Sequence, residues 1–198
     1  MQNDRMPDEK GIIDGCLRQR KDAQLALFSK YAPLFRAICL RYAGNRDDAE
    51  DMLQEGFIKI FTKIRQYRGE GSFEGWMKRI VINTALTGVK KKAKHFGDIS
   101  IDKAGDRFAD EMPDDSPDQG NARSVVMTTE FSREELLSVI NSLPDGYRMV
   151  FNLYVIDEYS HNEIASMLNI SESTSKSQFS RARKLLQKKL FDLGNEKM

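Results

Sequence analysis

A chain of 198 residues, 40% hydrophobic and 31% charged, has room for one ordinary domain or two small ones. No stretch approaches the roughly 20 uninterrupted apolar residues of a membrane helix, and the charged start at Asp4, Arg5, Asp8, Glu9 and Lys10 lacks the apolar run of a secretory signal, so a cytoplasmic protein without membrane insertion is expected. Cys16 and Cys39 stand apart from any CxxC or Cys/His cluster and His95 and His161 lack a nucleophile or metal partner; with no P-loop and no GxGxxG, no metal, no cofactor and no catalysis are expected.

The net charge of +1 conceals alternating blocks. Residues 21–94 carry 15 Lys/Arg against 8 Asp/Glu, residues 95–130 carry 3 against 9, residues 131–171 carry 2 against 6, and residues 172–189 carry 6 against 1. A basic block is a plausible footprint for phosphate, although Lys and Arg also simply solvate helix surfaces.

Residues 21–94 read as helical. Leu25, Phe28, Ala32, Phe35 and Ile38 give one apolar stripe, mildly interrupted by Pro33. Gly44 and Asn45 mark a turn. Leu53, Phe57, Ile60, Phe61 and Ile64 then line one face of a second helix within 48–65. A third helix is expected after Ser72, through Trp76, Ile80, Val81 and Leu86. Three such faces enclose one small core.

Periodicity is lost from His95 to about Glu130, where Gly97, Gly105, Pro113, Pro117 and Gly120 are scattered among acidic residues; a flexible acidic linker is expected. Order returns at Ser132, which opens a capping box with Glu135, in front of Leu136, Leu137, Ile140 and Leu143. Pro144, Asp145 and Gly146 mark a turn, and Tyr147–Ile156 reads as an apolar helix.

From Tyr159 the chain reads YSHNEIASMLNISESTSKSQFSRARKLLQKKL. Ser160 and Glu163 form a second capping box, so a helix starts at His161, read as an exposed first-turn residue, with Ile164, Ala165 and Leu168 facing inward. Asn169 tolerates the left-handed conformation that a tight turn needs. Ile170 fills the angle and Ser171 caps a further helix through Lys189. A small alanine, a tight turn and a buried isoleucine after it describe a helix-turn-helix, whose second helix enters the DNA major groove. On that helix Glu172, Ser173, Thr174, Lys176, Ser177, Gln178 and Arg181 can read base edges or bind phosphate, and Arg183 and Lys184 extend the positive surface.

Taken together, residues from about Asp22 to Leu190 resemble the extracytoplasmic-function (ECF) sigma factors of bacterial RNA polymerase. DAEDMLQEGFIKIF (residues 48–61) resembles the family's region 2.2, FEGWMKRIVINTAL (73–86) its regions 2.3 and 2.4, and 143–186 its region 4. The resemblance implies an all-α protein of two small helical domains, region 2 at 21–94 and region 4 at 131–190, joined by the linker 95–130. It implies that Asp48, Asp51, Gln54 and Glu55 dock on the coiled coil of the polymerase's largest subunit. It further implies that Arg68, Ser72, Lys78, Arg79, Asn83, Lys90, Lys91 and Lys92 handle the −10 element. The helix from Glu172 would read the −35 element. Phe73 and Trp76 are read as core. Core polymerase (coiled coil and flap), promoter DNA and an anti-sigma factor are the implied partners. One position departs from the family: Ser175 replaces a branched apolar residue, which weakens packing of the second helix on the first unless the hydroxyl bonds back to the helix. A stand-alone helix-turn-helix regulator, or an adaptor working only through protein contacts, are the competing readings; the 48–61 motif speaks against the first and the basic helix against the second.

Overall fold

The computed structural model describes residues 8–95 and 130–197. Among the described residues all regular structure is helical. The linker expected at 95–130 lies, except for its end residues, outside them. The chain falls into two compact units, 1–88 and 89–198.

The first unit begins earlier than the sequence pattern suggests. Helix α1 (Glu9–Leu17) lies upstream of residue 21, capped by Asp8, whose Oδ1 accepts from the Gly11 amide at 2.9 Å. Its Ile12 and Cys16 are buried, and the Tyr31 hydroxyl donates to Glu9 at 2.9 Å. Gly15 packs so tightly on Ala23 that a Cβ at Gly15 would overlap the Ala23 Cβ. Two buried apolar positions, Ile12 and Cys16, are too few to reveal such a helix by periodicity.

Helix α2 (Lys21–Ala43) runs through Pro33 and stops at Gly44, whose left-handed φ of 77° ends it cheaply. Asn45 caps α3 (Arg46–Lys63) by accepting from the Asp48 amide. A 3-10 turn, Ile64–Gln66, and a loop lead to α4 (Phe73–His95). Leu27, Phe35, Ile38 and Tyr42 of α2, Leu53, Phe57 and Ile60 of α3, and Phe73, Met77, Val81 and Ile82 of α4 form the core. The stripe expected at the start of α2 is corrected: Leu25 is 66% exposed, and Phe28 sits at the edge of the core with its ring 4.7 Å from that of Phe57. Counting back from Phe35 in fours gives Tyr31, Leu27 and Ala23, the residues actually buried.

The second unit contains α5 (Arg133–Asn141), α6 (Asp145–Phe151), a π-helical segment (Asn152–Ile156), α7 (His161–Leu168) and α8 (Glu172–Asn195). Both expected capping boxes form, Ser132 with Glu135 and Ser160 with Glu163. Leu143, Tyr147, Ala182 and Leu186 are buried together, with Val139, Ile140, Phe151 and Leu185 packed around them. Leu136, assigned to this face by the sequence pattern, is instead 40% exposed. Burial of Ile164 and Leu168 fixes α7 within the unit, so the geometry of the helix-turn-helix is set by apolar packing and not by propensity alone. No helix among the described residues is long and apolar enough to cross a membrane.

Candidate nucleic-acid and protein interfaces

Three faces collect the candidate residues. On α3, Asp51 and Gln54 are exposed, Asp48 and Glu55 half-buried. Glu55 pairs with Lys59 at 2.7 Å, one turn on, and Asp48 sits in the first turn, bonded to the Asn45 side chain. Acidic groups there are favoured by the positive end of the helix dipole. Asp51, Gln54 and Glu55 share one face. The same face carries Ile58, 65% exposed and three residues beyond Glu55. Ile58 was absent from the candidate set; the signal is its three- and four-residue spacing from Glu55 and Gln54 in a helix whose other large apolar groups turn inward. Behind this face, Arg36 holds Glu50 through two hydrogen bonds of 2.6 and 3.2 Å, which keeps the Glu50 carboxyl below its usual range.

The second face lies on α4 and the loop before it. Arg68 and Ser72 are exposed in that loop; the Ser72 hydroxyl accepts from the Gly75 amide at 3.0 Å and so opens the helix. The Tyr67 hydroxyl donates to the Gly71 carbonyl at 2.8 Å, and its ring packs on Phe73 and Trp76, with centroids 5.0 and 5.6 Å away. Phe73 is core, whereas Trp76 is only half-buried, so its assignment to the core holds in part. Tyr67 opens the glycine-containing loop Tyr67–Ser72, read from the sequence as suited to close approach, but its own ring was not among the expected contacts. From Trp76, the residues Arg79, Asn83 and Thr87 follow at helical spacing along one side of α4; Lys90, expected with them, is corrected, because it is half-buried and its Nζ donates to the carbonyl oxygens of Met167 and Leu168 at 3.1 and 3.3 Å. Arg79 and Asn83 are exposed, as are Lys91 and Lys92 further on, while Lys78 is half-buried on the flank. An aromatic ring, an amide and cations therefore stand in one line, the combination that can stack a base, hydrogen-bond its edge and hold phosphates.

The third face is the helix-turn-helix. Asn169 adopts the left-handed conformation, φ 59° and ψ 49°, and the Ile170 amide bonds the Ala165 carbonyl at 3.0 Å. Ser171 then caps α8, its Oγ accepting from the Thr174 amide at 2.9 Å and lying 2.8 Å from the hydroxyls of both Ser173 and Thr174. Glu172, Ser173, Lys176 and Ser177 are exposed, as are Arg183 and Lys184; Thr174 and Arg181 are half-buried. Lys176 pairs with Glu172 at 2.7 Å and holds that carboxyl below its usual range.

One candidate is corrected. Gln178 is 2% exposed and lies on the inner line Ser175, Gln178, Ala182, Leu186, its amide within van der Waals reach of a Cβ at Gly146. It faces the unit's interior and not a groove. The spacing of three and four residues already placed it there, but its polarity masked the pattern. Ser180, exposed and aligned with Ser173, Ser177 and Lys184, belongs to the outer face in its place.

His161 is also corrected. Its ring is half-buried, stacked on Tyr154 with centroids 4.3 Å apart and 12° between planes, and its Nδ1 is 2.9 Å from the Ser175 hydroxyl. Burial pushes the imidazole below its ordinary pKa, Lys176 adding to the effect and Glu172 opposing it. No metal-holding cluster of His, Cys, Asp or Glu occurs among the described residues.

Both helical units have counterparts among known proteins. A model of sigma-70 region 2 matches residues 27–95, and a model of sigma-70 region 4 matches residues 133–186. The chain is 31% identical over 173 residues to the ECF RNA polymerase sigma factor SigW of Bacillus subtilis, covering 87% of this chain and 91% of that one. It is 25% identical to the ECF RNA polymerase sigma-E factor of Haemophilus influenzae, covering 92% and 95%. Among solved structures, the sigma factor RpoE in complex with the anti-sigma factor NepR from Bartonella quintana shares the fold, with a TM-score of 0.50 and 20% identity over 81% of this chain and 92% of that one.

Proposed function

The chain belongs to the ECF sigma factors of RNA polymerase and directs promoter-specific initiation of transcription; on that premise we propose how its surfaces divide the work. Region 2, placed at residues 21–94, docks on the largest-subunit coiled coil through Asp48, Asp51, Gln54 and Glu55, with Ile58 as the apolar centre of the contact. Charged groups fix the register of such a contact, while the exposed isoleucine supplies area to bury.

The α4 line handles the −10 element. Melting requires that an unstacked base be caught and its phosphates neutralised, at a cost of a few kcal/mol per base. Asn83 is the hydrogen-bonding group for the flipped base; Arg68, Ser72, Lys78, Arg79, Lys91 and Lys92 hold the backbone around it. Region 4, at 131–190, lays α8 into the major groove of the −35 element, with Ser173, Lys176, Ser177 and Ser180 toward base edges and Arg183 and Lys184 toward phosphate. Each grip alone is weak; mounting both on one polymerase multiplies them and adds selectivity for their spacing. The acidic segment between them is a linker. The relative from Bartonella quintana is bound by an anti-sigma factor, and we assign an anti-sigma partner and a cytoplasmic location to this chain as well.

The observation that carries this reading is the capped α8 after the left-handed turn at Asn169, with its polar and basic row outward and Ala182 and Leu186 inward. Run-off transcription with core polymerase on a promoter panel tests it. The protein should confer promoter-specific products, and Asn83→Ala should impair opening more than closed-complex formation. Equal losses in both steps would remove Asn83 from the melting contact.

A further inference from the structure

Ser175 is completely buried where α8 crosses α7, so its hydroxyl has no access to water. A hydroxyl in that seam needs a partner. His161 supplies one, with Nδ1 at 2.9 Å. The imidazole is itself held from three directions. Ser160 and Glu163 lock the backbone of the turn on which it stands. Tyr154, from the π-helical segment, stacks flat on the ring. Phe179, one turn beyond Ser175 on α8, leans against it at 5.9 Å and itself packs on Tyr154 at 4.6 Å.

From this arrangement we infer that His161 is a positioning residue for promoter recognition: through the Ser175 hydroxyl it sets the rotation of the recognition helix about its own axis. Apolar contact between two helices is non-directional and tolerates a small roll; a hydrogen bond at 2.9 Å between one fixed ring and one short side chain does not. Side-chain tips on a helix lie about 5–6 Å from its axis, so a roll of about 20° moves them by about 2 Å, enough to break a contact to a base edge. Successive residues are set about 100° apart on a helix. Pinning Ser175 inward therefore aims Ser173, Lys176 and Ser177 outward at fixed angles. Ser175 and His161 thus form a polar pair across the seam between α7 and α8.

The inference rests on α8 reading the −35 element, and the experiment separates the two. Holoenzymes carrying the native chain, His161→Phe, His161→Asn, Ser175→Val and the double variant His161→Phe/Ser175→Val are compared on a promoter that the native holoenzyme transcribes, with its −35 element intact or replaced. His161→Phe keeps the stack on Tyr154 but strands the buried hydroxyl, so the yield gained from the −35 element should fall about tenfold. Ser175→Val alone should cost about threefold. The double variant removes the stranded hydroxyl but supplies no directional bond, so it should match Ser175→Val at about threefold below native, with α8 amide protection restored; full recovery of the −35-dependent yield would overturn the positioning role. His161→Asn, whose amide can stand where Nδ1 does, should retain most of the yield. Losses that multiply in the double variant would overturn the coupling. A native product indifferent to the −35 element would instead overturn the reading of α8, and the positioning role with it. Amide exchange across α8 in each variant controls for folding; if His161→Phe loses that protection entirely, Ser175→Val and His161→Asn decide, and equal large losses in both would overturn the pairing.

Discussion

Arg148 closes the end of the helix that precedes its own: its Nη1 donates to the carbonyl oxygens of Asn141 and Leu143, at 3.1 Å each, while Nη2 bonds Asp145. The side chain is 5% exposed, in a unit whose other buried groups are mostly aliphatic. Helix ends leave carbonyls without intrahelical partners, and a guanidinium can satisfy two of them and a carboxylate at once because its donors fan out in one plane. This makes the α5–α6 corner a rigid seat for α8.

Replacing Arg148 by leucine should therefore keep the stem's packing and strand the two carbonyls, lowering the stability of the second unit by about 2–3 kcal/mol. Arg148→Lys should recover only part, since a single ammonium does not reproduce the planar fork. Urea-dependent amide exchange in peptides of α5 and α6 measures it. A loss below about 0.5 kcal/mol, the level of ordinary surface substitutions, would mean that water serves these carbonyls as well as the arginine does.

How much of this was legible in the sequence depends on whether a local rule or a packing partner decided the residue. The capping boxes at Ser132 and Ser160, the turn at Gly44-Asn45 and the left-handed Asn169 obey short-range backbone chemistry, and each stands where the sequence puts it. Leu25 and Leu136 do not, because a helical stripe read from hydrophobicity alone cannot tell the residue at the core's centre from the one beside it. Gln178 and His161 fail for a complementary reason. Their polarity argued for solvent, while Gly146 opposite the one and Ser175 opposite the other gave them places inside. Such partners lie far off in the chain, and no window of sequence shows them. The candidate faces on α3 and α4 came from the resemblance to sigma regions 2.2 to 2.4 and not from any local rule; Ile58 and Tyr67 escaped it, being an apolar residue outside and an aromatic whose hydroxyl ties down a loop.

The thiol of Cys39 offers a probe of the first unit. Burial, with Glu50 adding to it, raises its pKa to about 12 against the partial opposition of Arg41 and Arg36. At pH 8 only about one thiol in ten thousand is then ionised, against about a quarter for a free cysteine. Iodoacetamide should label Cys39 at least a hundredfold more slowly in the native chain than in urea. Labelling at comparable rates would show that the α2–α3 core opens readily in solution.

Acid should loosen the second unit through His161. Its folded-state pKa is lowered, mainly by burial, so the unfolded chain takes up a proton at higher pH than the folded one. Lys176 disfavours the imidazolium while Glu172 favours it, and both stand on α8. Because the unfolded state binds more protons below the ordinary imidazole value of about 6.5, stability is complete above that pH and is lost as pH falls through the interval to the lowered folded value. The urea midpoint of α8 exchange should stay level from pH 8 to 7 and decline from about 6.5 downward; His161→Phe should remove that part of the decline. A native profile that instead improves toward pH 5.5 would contradict the burial of the ring.

The inner and outer sides of α8 should separate cleanly in salt titrations of holoenzyme on a promoter. Each phosphate contact contributes about 0.9 to the slope of log K against log salt concentration. Lys184, exposed on the outer face, should reduce that slope by about one when replaced by alanine, with sequence preference little changed. Gln178→Ala should leave both slope and preference as they are and act only on stability, because its amide packs toward Gly146 and not outward. Ser177→Ala falls between: the Ser177 hydroxyl donates to the Thr174 carbonyl at 3.0 Å but remains exposed, so its loss should touch preference at one −35 position without altering the slope. If Gln178→Ala relaxes base preference while the amide protection of α8 stays intact, then α8 turns on the promoter to bring its inner side into the groove, and the pairing of His161 with Ser175 does not survive binding.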